Sequence, residues 1–342
     1  MWRLCENPVR ANHEEIRIVT EYVIECPPQS RHPRIIMGRR GRYWIKRNEH
    51  MPLNVPETRT RFVTLFDDTY NQPDCRAYYR MLRSHGYRNH AHAVPVFRAV
   101  LDALQRQRGR SSPRIFDFAS SYGIVTALIK HAVSAQAFLD RYYDPALDDL
   151  DATGMIRQDT TWLAGLSQRY PGARFAGLDV ADKAVAYGRA VGLFDQAFDE
   201  DLEESEPSGP LRSCLAATDL IVECGSVGHL MPRALDRLLT HSAAKRPWVV
   251  TSPVRGNERD QAFEVLADHG LVVETLGLPP FAHRRFDSPD EQARAIRIAR
   301  KAGHDPAGFE TAGHFYAQLY LARPAEEATE IVLPRSLQPS TP

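Results

Sequence analysis

The chain has 342 residues, 43% of them hydrophobic, which is enough for a sizeable core and about two domains. Its 43 basic and 43 acidic residues cancel, which argues against nucleic acid or anionic lipid as a partner. The five cysteines include no C-x-x-C pair, and no run approaches ~20 apolar residues, so we expect reduced thiols, no cysteine-based zinc site and no membrane span. Without an apolar run of signal-peptide length at its N-terminus, the chain is expected to be cytoplasmic.

The N-terminal third divides into two zones. Residues 1–58 mix short β-like runs with proline-rich breaks, which predicts a small β arm and a candidate surface for homodimer contacts. Residues 59–112 carry helical patterns, clearest where apolar residues from Val94 to Leu104 recur at helical spacing. We therefore predict a helical cap over 59–112.

From residue 113 onward, strand-like runs alternate with amphipathic helical segments, which predicts a mostly parallel sheet with helices on both faces. The predicted strands are 114–118, 174–178, 218–223, 247–251, 271–275 and 314–322, with a further short strand before Asp201. The predicted helices are 122–133, 181–192, 231–243, 257–268 and 289–302. This domain, over 113–325, contains an insertion at 131–170, and a Pro- and Ser-rich tail at 326–342 is expected to be flexible.

The turn after the first of these strands has an unusual composition. In IFDFASSYG, the acid Asp117 and then small residues directly follow an apolar pair. Ligands of open α/β sheets bind beyond the carboxyl ends of the strands, where small residues let backbone approach a ligand closely. The residues that we expect to bind a ligand here are Asp117, Ala119, Ser120, Ser121, Tyr122 and Gly123.

Acids follow the next two strands as well. Asp179, followed by Val180, comes after the second strand, where a carboxylate can accept hydrogen bonds from two ribose hydroxyls. Asp201 and Leu202 follow the short third strand, where the acid can bind an adenine amino group while the leucine covers the ring. Asp179 could equally be a helix N-cap, because the next helix begins within two residues.

The fourth strand, in TDLIVECGSVGHL, supplies candidates for the reaction zone. Glu223 ends the strand, Ser226 follows, and His229 lies within one further turn. With Tyr79 from the cap, these are the candidate catalytic residues, and His229 is a candidate base. The pair His90 and His92 has no cysteine or carboxylate beside it and is predicted to be plain polar rather than metal-binding.

These residues, in this order, resemble the class I S-adenosylmethionine (SAM)-dependent methyltransferases. The family's first motif is [DE]-x-G-x-G-x-G, and residues 117–123 keep its acid and last glycine while Ala119 and Ser121 replace the other two. Asp179 matches the second-motif acid, and Asp201 with Leu202 matches the adenine-side pair. The resemblance covers about 113–323. It implies a Rossmann-like seven-stranded sheet with a reversed C-terminal hairpin, and SAM as the cofactor.

The resemblance implies methyl transfer to a small molecule, in specialised metabolism, because the Asn-Pro-Pro-Tyr type motif of enzymes that methylate DNA bases or glutamine is absent. One alternative is a SAM cyclase that releases methylthioadenosine, as azetidine-2-carboxylate synthases do, and another is a non-catalytic SAM-binding protein. NAD is a rival ligand, although its G-x-G-x-x-G fingerprint is absent.

Tyrosines are concentrated before the sheet domain and in its first turn. A tyrosine face attracts a cation such as a sulfonium by ~0.5–2 kcal/mol, so these side chains could form a lid around SAM. Ordinary burial in the core is the other fate expected for them. The tyrosines concerned are Tyr70, Tyr78, Tyr79, Tyr87, Tyr122, Tyr142 and Tyr143.

Overall fold

The computed structural model describes residues 35–38, 42–45, 69–225 and 231–334. The strands within these ranges are β1 (Ile35–Gly38), β2 (Arg42–Ile45), β3 (Arg114–Phe118), β4 (Arg174–Leu178), β5 (Gln196–Phe198), β6 (Leu220–Glu223), β7 (Trp248–Thr251), β8 (Leu271–Glu274), β9 (Phe281–Arg285), β10 (His314–Ala317) and β11 (Tyr320–Pro324). The helices are α1 (Arg76–Ser84), α2 (Asn89–Arg108), α3 (Ile124–Lys130), α4 (Ala135–Asp140), α5 (Ala152–Ala164), α6 (Asp182–Ala190), α7 (Gly209–Leu215), α8 (Pro232–Ser242), α9 (Asp260–Asp268) and α10 (Pro289–Lys301).

Seven strands form the central part of one sheet, in the order β5-β4-β3-β6-β7-β11-β8. Neighbours from β5 to β7 are parallel, whereas β11 is antiparallel to both β7 and β8. This arrangement confirms the predicted Rossmann-like α/β sheet with a reversed C-terminal hairpin. At the β8 edge, β2 and then β1 add two antiparallel strands, so the sheet has nine strands in all.

Most predicted strands coincide with observed ones, and 114–118 and 174–178 match β3 and β4 residue for residue. The single strand predicted over 314–322 is wrong. It is two strands in different sheets: β10 forms a two-stranded sheet with β9, and β11 enters the main sheet. The chain changes sheet at Gln318, whose backbone N–H donates to the carbonyl of Pro253 (3.0 Å). A continuous apolar pattern does not reveal such a crossing.

Apolar side chains pack on both faces of the sheet because successive residues of a strand point to opposite faces. In β3, Ile115 belongs to a cluster that includes the cap helices α1 and α2 and the helices of the insertion, and Phe116 belongs to a second cluster. The second cluster is closed by residues of α7, α8 and α9. Among the described residues, no helix combines the length and apolarity that crossing a membrane requires.

The chain end packs back on the sheet domain as far as it is described. Arg108 of α2 forms a salt bridge with Glu327 (2.9 Å), and the side chains of Ile331 and Leu333 pack against the first apolar cluster. Residues 335–342, which belong to the segment predicted as a tail, lie outside the described residues, as does most of the predicted β arm over 1–58.

One buried carboxylate ties the insertion to the cap and to α6. Asp159, on α5, is 1% exposed and accepts hydrogen bonds from the hydroxyls of Tyr142 (2.9 Å) and Tyr187 (2.5 Å). Arg141 Nη2 donates to the same carboxylate at 2.8 Å. The Cys75 sulfur, at the start of α1, lies 3.7 Å from Asp159 Oδ2. Since a buried charge is stable only when it is paired and hydrogen-bonded, these contacts hold three elements in one arrangement.

We therefore expect Asp159→Ala to lower the free energy of unfolding by about 3–5 kcal/mol, since it strands a guanidinium and two buried hydroxyls. Urea denaturation followed by circular dichroism measures this loss. Asp149→Ala, at an exposed position in the same insertion, is the control and should change stability by less than ~0.5 kcal/mol. Equal stability of the two variants would contradict the assigned role.

Candidate functional site

Three neighbouring strands end in buried acids at one edge of the sheet. Asp117 lies at the end of β3, Asp179 directly after β4, and Glu223 at the end of β6, and they are 1%, 6% and 2% exposed. β3 lies between β4 and β6, so the three carboxylates are neighbours across the sheet. Among the described residues, neither Asp117 nor Asp179 has a salt-bridge partner.

The electrostatics of this edge are unfavourable without a ligand. Burial raises the pKa of Asp117 to about 7; hydrogen bonds from Thr126 oppose this, and the charges of Asp179 and Glu223 add to it. Thr126 Oγ1 donates to Asp117 Oδ2 at 2.7 Å. Burial also raises the pKa of Asp179, against three hydrogen bonds that lower it. An anionic, buried edge of this kind favours a ligand that carries positive charge.

The turn after β3 has left-handed backbone at every second residue. The φ angles are +57° at Ala119, +50° at Ser121 and +87° at Gly123. These are the three positions at which the resemblance places glycine, so the loop keeps the family's alternation without two of its glycines. A left-handed conformation costs a residue with a side chain roughly 1–2 kcal/mol. Strain of this kind persists only where the surroundings enforce it, and it concentrates at ligand-binding sites.

Asp179 holds the turn after β3 to the start of α6. Its Oδ2 accepts hydrogen bonds from Ser121 N (2.8 Å) and the Tyr70 hydroxyl (2.8 Å), and its Oδ1 accepts one from Ala181 N (2.9 Å). A carboxylate offers about four acceptor positions, so about one remains. The N-cap position of α6 is occupied by Ala181 rather than by Asp179. Asp179 can therefore accept about one further hydrogen bond, and accepting two would require Tyr70 to leave.

Tyr70 belongs to a short segment, residues 70–72, that contacts both the turn after β3 and the start of α6; we call it the strap. Asn71 Oδ1 accepts from Lys183 N (2.8 Å), and Asn71 Nδ2 donates to Asp182 Oδ1 (2.8 Å), at the start of α6. Gln72 N donates to the Tyr122 hydroxyl at 2.6 Å. The strap thus joins the cap to the carboxyl ends of β3 and β4.

The remaining residues predicted to bind the cofactor differ in their environments. Val180 is 59% exposed, which leaves an apolar side chain next to Asp179 free to cover a ring. Leu202 is 1% exposed and packs in the second apolar cluster, so the expectation that it covers adenine is corrected: the core buries it. Asp201 Oδ1 accepts from Glu203 N at 2.9 Å and thereby closes a turn.

Of the four candidate catalytic residues, the structure describes two, Tyr79 and Glu223. The Tyr79 hydroxyl donates to the Tyr122 carbonyl (3.1 Å), and its ring is buried against Phe138 and Tyr142. Burial raises the pKa of Tyr79 well above its usual value, so this side chain is a core residue and not a base. Glu223 accepts a hydrogen bond from Thr251. Ser226 and His229 lie outside the described residues.

The tyrosines divide between lid and core. Tyr70 and Tyr78 are partly exposed and in edge contact (5.3 Å between ring centroids), whereas Tyr122 and Tyr142 are fully buried. The Ser121 hydroxyl lies near the hydroxyls of Tyr70 and Tyr78 without full hydrogen-bond geometry to either. Tyr70 and Tyr78 thus border the turn with partly exposed rings, whereas Tyr122 and Tyr142 pack in the first apolar cluster.

The sequence gives little or no local indication of some residues of the site. Thr126 is the one polar residue before Lys130 in the otherwise apolar α3, which is a weak signal. The contact from Tyr70 to Asp179 spans 109 positions, and that from Ser252 to Asn89 spans 163. Only the folded chain brings such partners together.

No family model matches the chain, and no curated protein does. Among solved structures it is similar to the YcgJ protein of Bacillus subtilis, at 10% identity over 67% of this chain and 98% of that one, with a TM-score of 0.38. It is similar to the plantazolicin methyltransferase BamL, at 8% identity over 72% and 90%, with a TM-score of 0.37. A TehB-like SAM-dependent methyltransferase from Corynebacterium glutamicum gives 14% identity over 64% and 86%, with a TM-score of 0.28. Scores this low carry no argument about function, which rests on the site itself.

We expect Ala119→Gly to stabilise the protein by about 0.5–1 kcal/mol, because relief of left-handed strain exceeds the entropy cost of glycine. Ala186→Gly, at an exposed position inside α6, is the matched control and should destabilise by about 1 kcal/mol. Thermal unfolding of both variants shows whether each substitution raises or lowers the stability. Equal destabilisation would show that Ala119 is not strained.

The raised pKa of Asp117 predicts a specific pH dependence. Between the unfolded pKa of about 3.9 and the folded pKa of about 7, the folded state binds more protons, so stability falls as pH rises through this window. The Asp117 contribution amounts to roughly 3–4 kcal/mol across the window. Asp117→Asn should remove that part of the slope, measured as urea stability from pH 4.5 to pH 8. A slope identical to that of the wild type would contradict the assignment.

Proposed function

We propose that the chain is a SAM-dependent enzyme that transfers a methyl group to a small molecule. The observation that carries the proposal is the edge where Asp117, Asp179 and Glu223 are buried together, beside a turn that is strained at alternate residues. SAM carries two positive groups, a sulfonium and an ammonium, and a ribose with two hydroxyls. This ligand complements both the charge and the hydrogen-bonding capacity of the edge.

The residues present fit such a ligand in four places. Asp117 and the backbone of the turn suit the methionine part, Asp179 the ribose, and the exposed Val180 the adenine ring. Tyr78, whose ring borders Tyr70 and Tyr122, offers an aromatic face to a sulfonium. When bound, SAM supplies a methyl carbon made electrophilic by its positive sulfur.

The protein itself aligns the reactants, excludes water from the edge and keeps the tyrosine hydroxyls protonated. Burial raises the pKa of Tyr70 and of Tyr78 well above the usual value, so both hydroxyls stay protonated at neutral pH and donate hydrogen bonds. The hydrogen bond from Thr251 fixes the carboxyl group of Glu223 at the end of β6. Because alignment of the reactants supplies most of the rate enhancement in such a displacement, an assembled catalytic triad is not required.

The strap must open for this function, since Tyr70 occupies part of Asp179. Opening exposes Asp179 Oδ2, and closing over a bound ligand excludes water from the edge. Several further statements remain predictions from the sequence. They are the class of acceptor, a role in specialised metabolism, the cytoplasmic location, a homodimer through the arm, and the domain limits 1–58, 59–112, 113–325 and 326–342.

Incubation of the purified protein with SAM alone, followed by mass spectrometry, tests the proposal against its alternative. We expect SAM to bind and to remain intact, and S-adenosylhomocysteine to appear only when a panel of small-molecule acceptors is added. If methylthioadenosine appears above the uncatalysed background, the protein is a SAM cyclase instead. The feature that supports this alternative is the cap, which closes over the turn after β3. Absence of SAM binding by calorimetry would overturn both.

Tyr70→Phe tests the strap directly. Removing the hydroxyl that competes for Asp179 should strengthen S-adenosylhomocysteine binding about tenfold, the scale of one hydrogen bond to a charged group. Tyr143→Phe, which removes an exposed hydroxyl bonded to the Arg80 carbonyl, is the control and should leave affinity unchanged. Isothermal titration calorimetry measures both. Weaker binding by Tyr70→Phe would mean that the hydroxyl contacts the ligand rather than competing with it.

A further inference from the structure

A group of buried polar side chains beside the site has atoms without hydrogen-bond partners. They are Asn89 Nδ2 and His90 Nδ1, at the start of α2, and His283 Nδ1, on β9. The three residues are 1%, 6% and 6% exposed. Buried polar atoms are nearly always paired in folded proteins, so three unpaired atoms in one region need an explanation.

Asn89 connects this group to the carboxyl ends of β6 and β7. Its Oδ1 accepts a hydrogen bond from Ser252 Oγ (3.2 Å), one residue beyond β7. The same Ser252 hydroxyl lies 3.6 Å from the sulfur of Cys224, which directly follows Glu223. Asn89 is thus linked through Ser252 and Cys224 to the edge that carries the buried acids.

Both histidines contact the ring of one tyrosine. Tyr87 stacks on His90 (6.4 Å between ring centroids) and meets His283 edge-on (5.0 Å). Burial lowers the pKa of His90 to about 4 and that of His283 to about 3, where Arg284 and His90 contribute further. Both imidazoles are therefore neutral at pH 7, and each has one nitrogen that accepts a hydrogen bond and one that donates.

We propose that Asn89, His90 and His283 form a subsite for the hydroxyl group of a small, uncharged phenolic molecule. A hydroxyl accepts from the Asn89 amide and donates to an imidazole nitrogen at the same time. An ammonium has no lone pair for Asn89, and a carboxylate has no proton for the imidazole. The ring of Tyr87 provides an aromatic wall. That the molecule is the methyl acceptor rests on the proposed function, whereas the binding of its hydroxyl does not.

Phenol is the probe, and anisole, which has the ring but no hydroxyl proton, is its matched control. In protein labelled with ¹⁵N-histidine, the ring nitrogen resonances report each imidazole's tautomer and hydrogen bonds. We expect phenol to shift the resonances of His90 and His283 with saturation, and anisole to leave the Nδ1 resonances in place. Shifts that are equal for the two compounds, or absent for phenol up to its solubility, overturn the proposal.

Substitutions separate binding from packing. His90→Leu should weaken phenol binding about fivefold, the effect of losing one neutral hydrogen bond, while His90→Asn, which keeps a polar group near the Nδ1 position, should restore part of it. The control is His92→Leu, two residues along α2, where a half-exposed ring packs on Phe281 (5.3 Å). Affinity that is unchanged in folded His90→Leu overturns the assignment.

The same preparations are titrated with S-adenosylhomocysteine, so that the two proposals can fail separately. Cofactor binding without a phenol response removes the subsite and leaves the proposed function. A phenol response without cofactor binding supports the subsite and removes the proposed function. A phenol affinity that rises once S-adenosylhomocysteine is bound supports both.

Discussion

Burial of three carboxylates at one edge of a sheet, two of which, Asp117 and Asp179, have no salt-bridge partner among the described residues, is the constraint on which the rest of the site depends. Parallel strands end at the same edge, so the acids after β3, β4 and β6 are brought together by the fold itself. Desolvation, with a smaller contribution from the neighbouring charges of Asp179 and Glu223, raises the pKa of Asp117 to about 7. A protein tolerates such an arrangement when a ligand neutralises it, which makes the edge a stronger indication of function than any single motif.

The cap is arranged around this edge. The strap places Tyr70 on Asp179, Asn71 on the start of α6 and Gln72 on Tyr122, so it closes the site from the same side as the predicted tyrosine lid. Behind it, Asp159 joins the insertion to α6, and Asp159 lies close to Cys75 at the start of α1. These elements therefore act together: the hydrogen bonds of Asp159 fix the insertion against α6 behind the cap, and the few hydrogen bonds of the strap are those that opening would have to break.

Much of the sheet was predictable from the sequence because each strand is a short apolar run that ends in an acid and is followed by a helical pattern. That logic located β3, β4 and the acids after them. It failed for 314–322, where one apolar run serves two sheets, and for Leu202, where an acid–leucine pair proved to be a turn and a core residue. Residues such as Tyr70, Asn89 and His283 depend on partners far along the chain, and no local periodicity encodes those contacts.

The most direct test of the central claim compares two ligands of almost the same shape. Sinefungin carries an amine, protonated at neutral pH, where S-adenosylhomocysteine has a neutral sulfur. If the anionic edge also favours positive charge at the sulfur position, beside Tyr78, calorimetry at pH 7.5 should show sinefungin binding at least ~10-fold more tightly than S-adenosylhomocysteine, a difference of about 1.4 kcal/mol. Equal affinities, tighter binding of S-adenosylhomocysteine, or binding of neither would contradict the account.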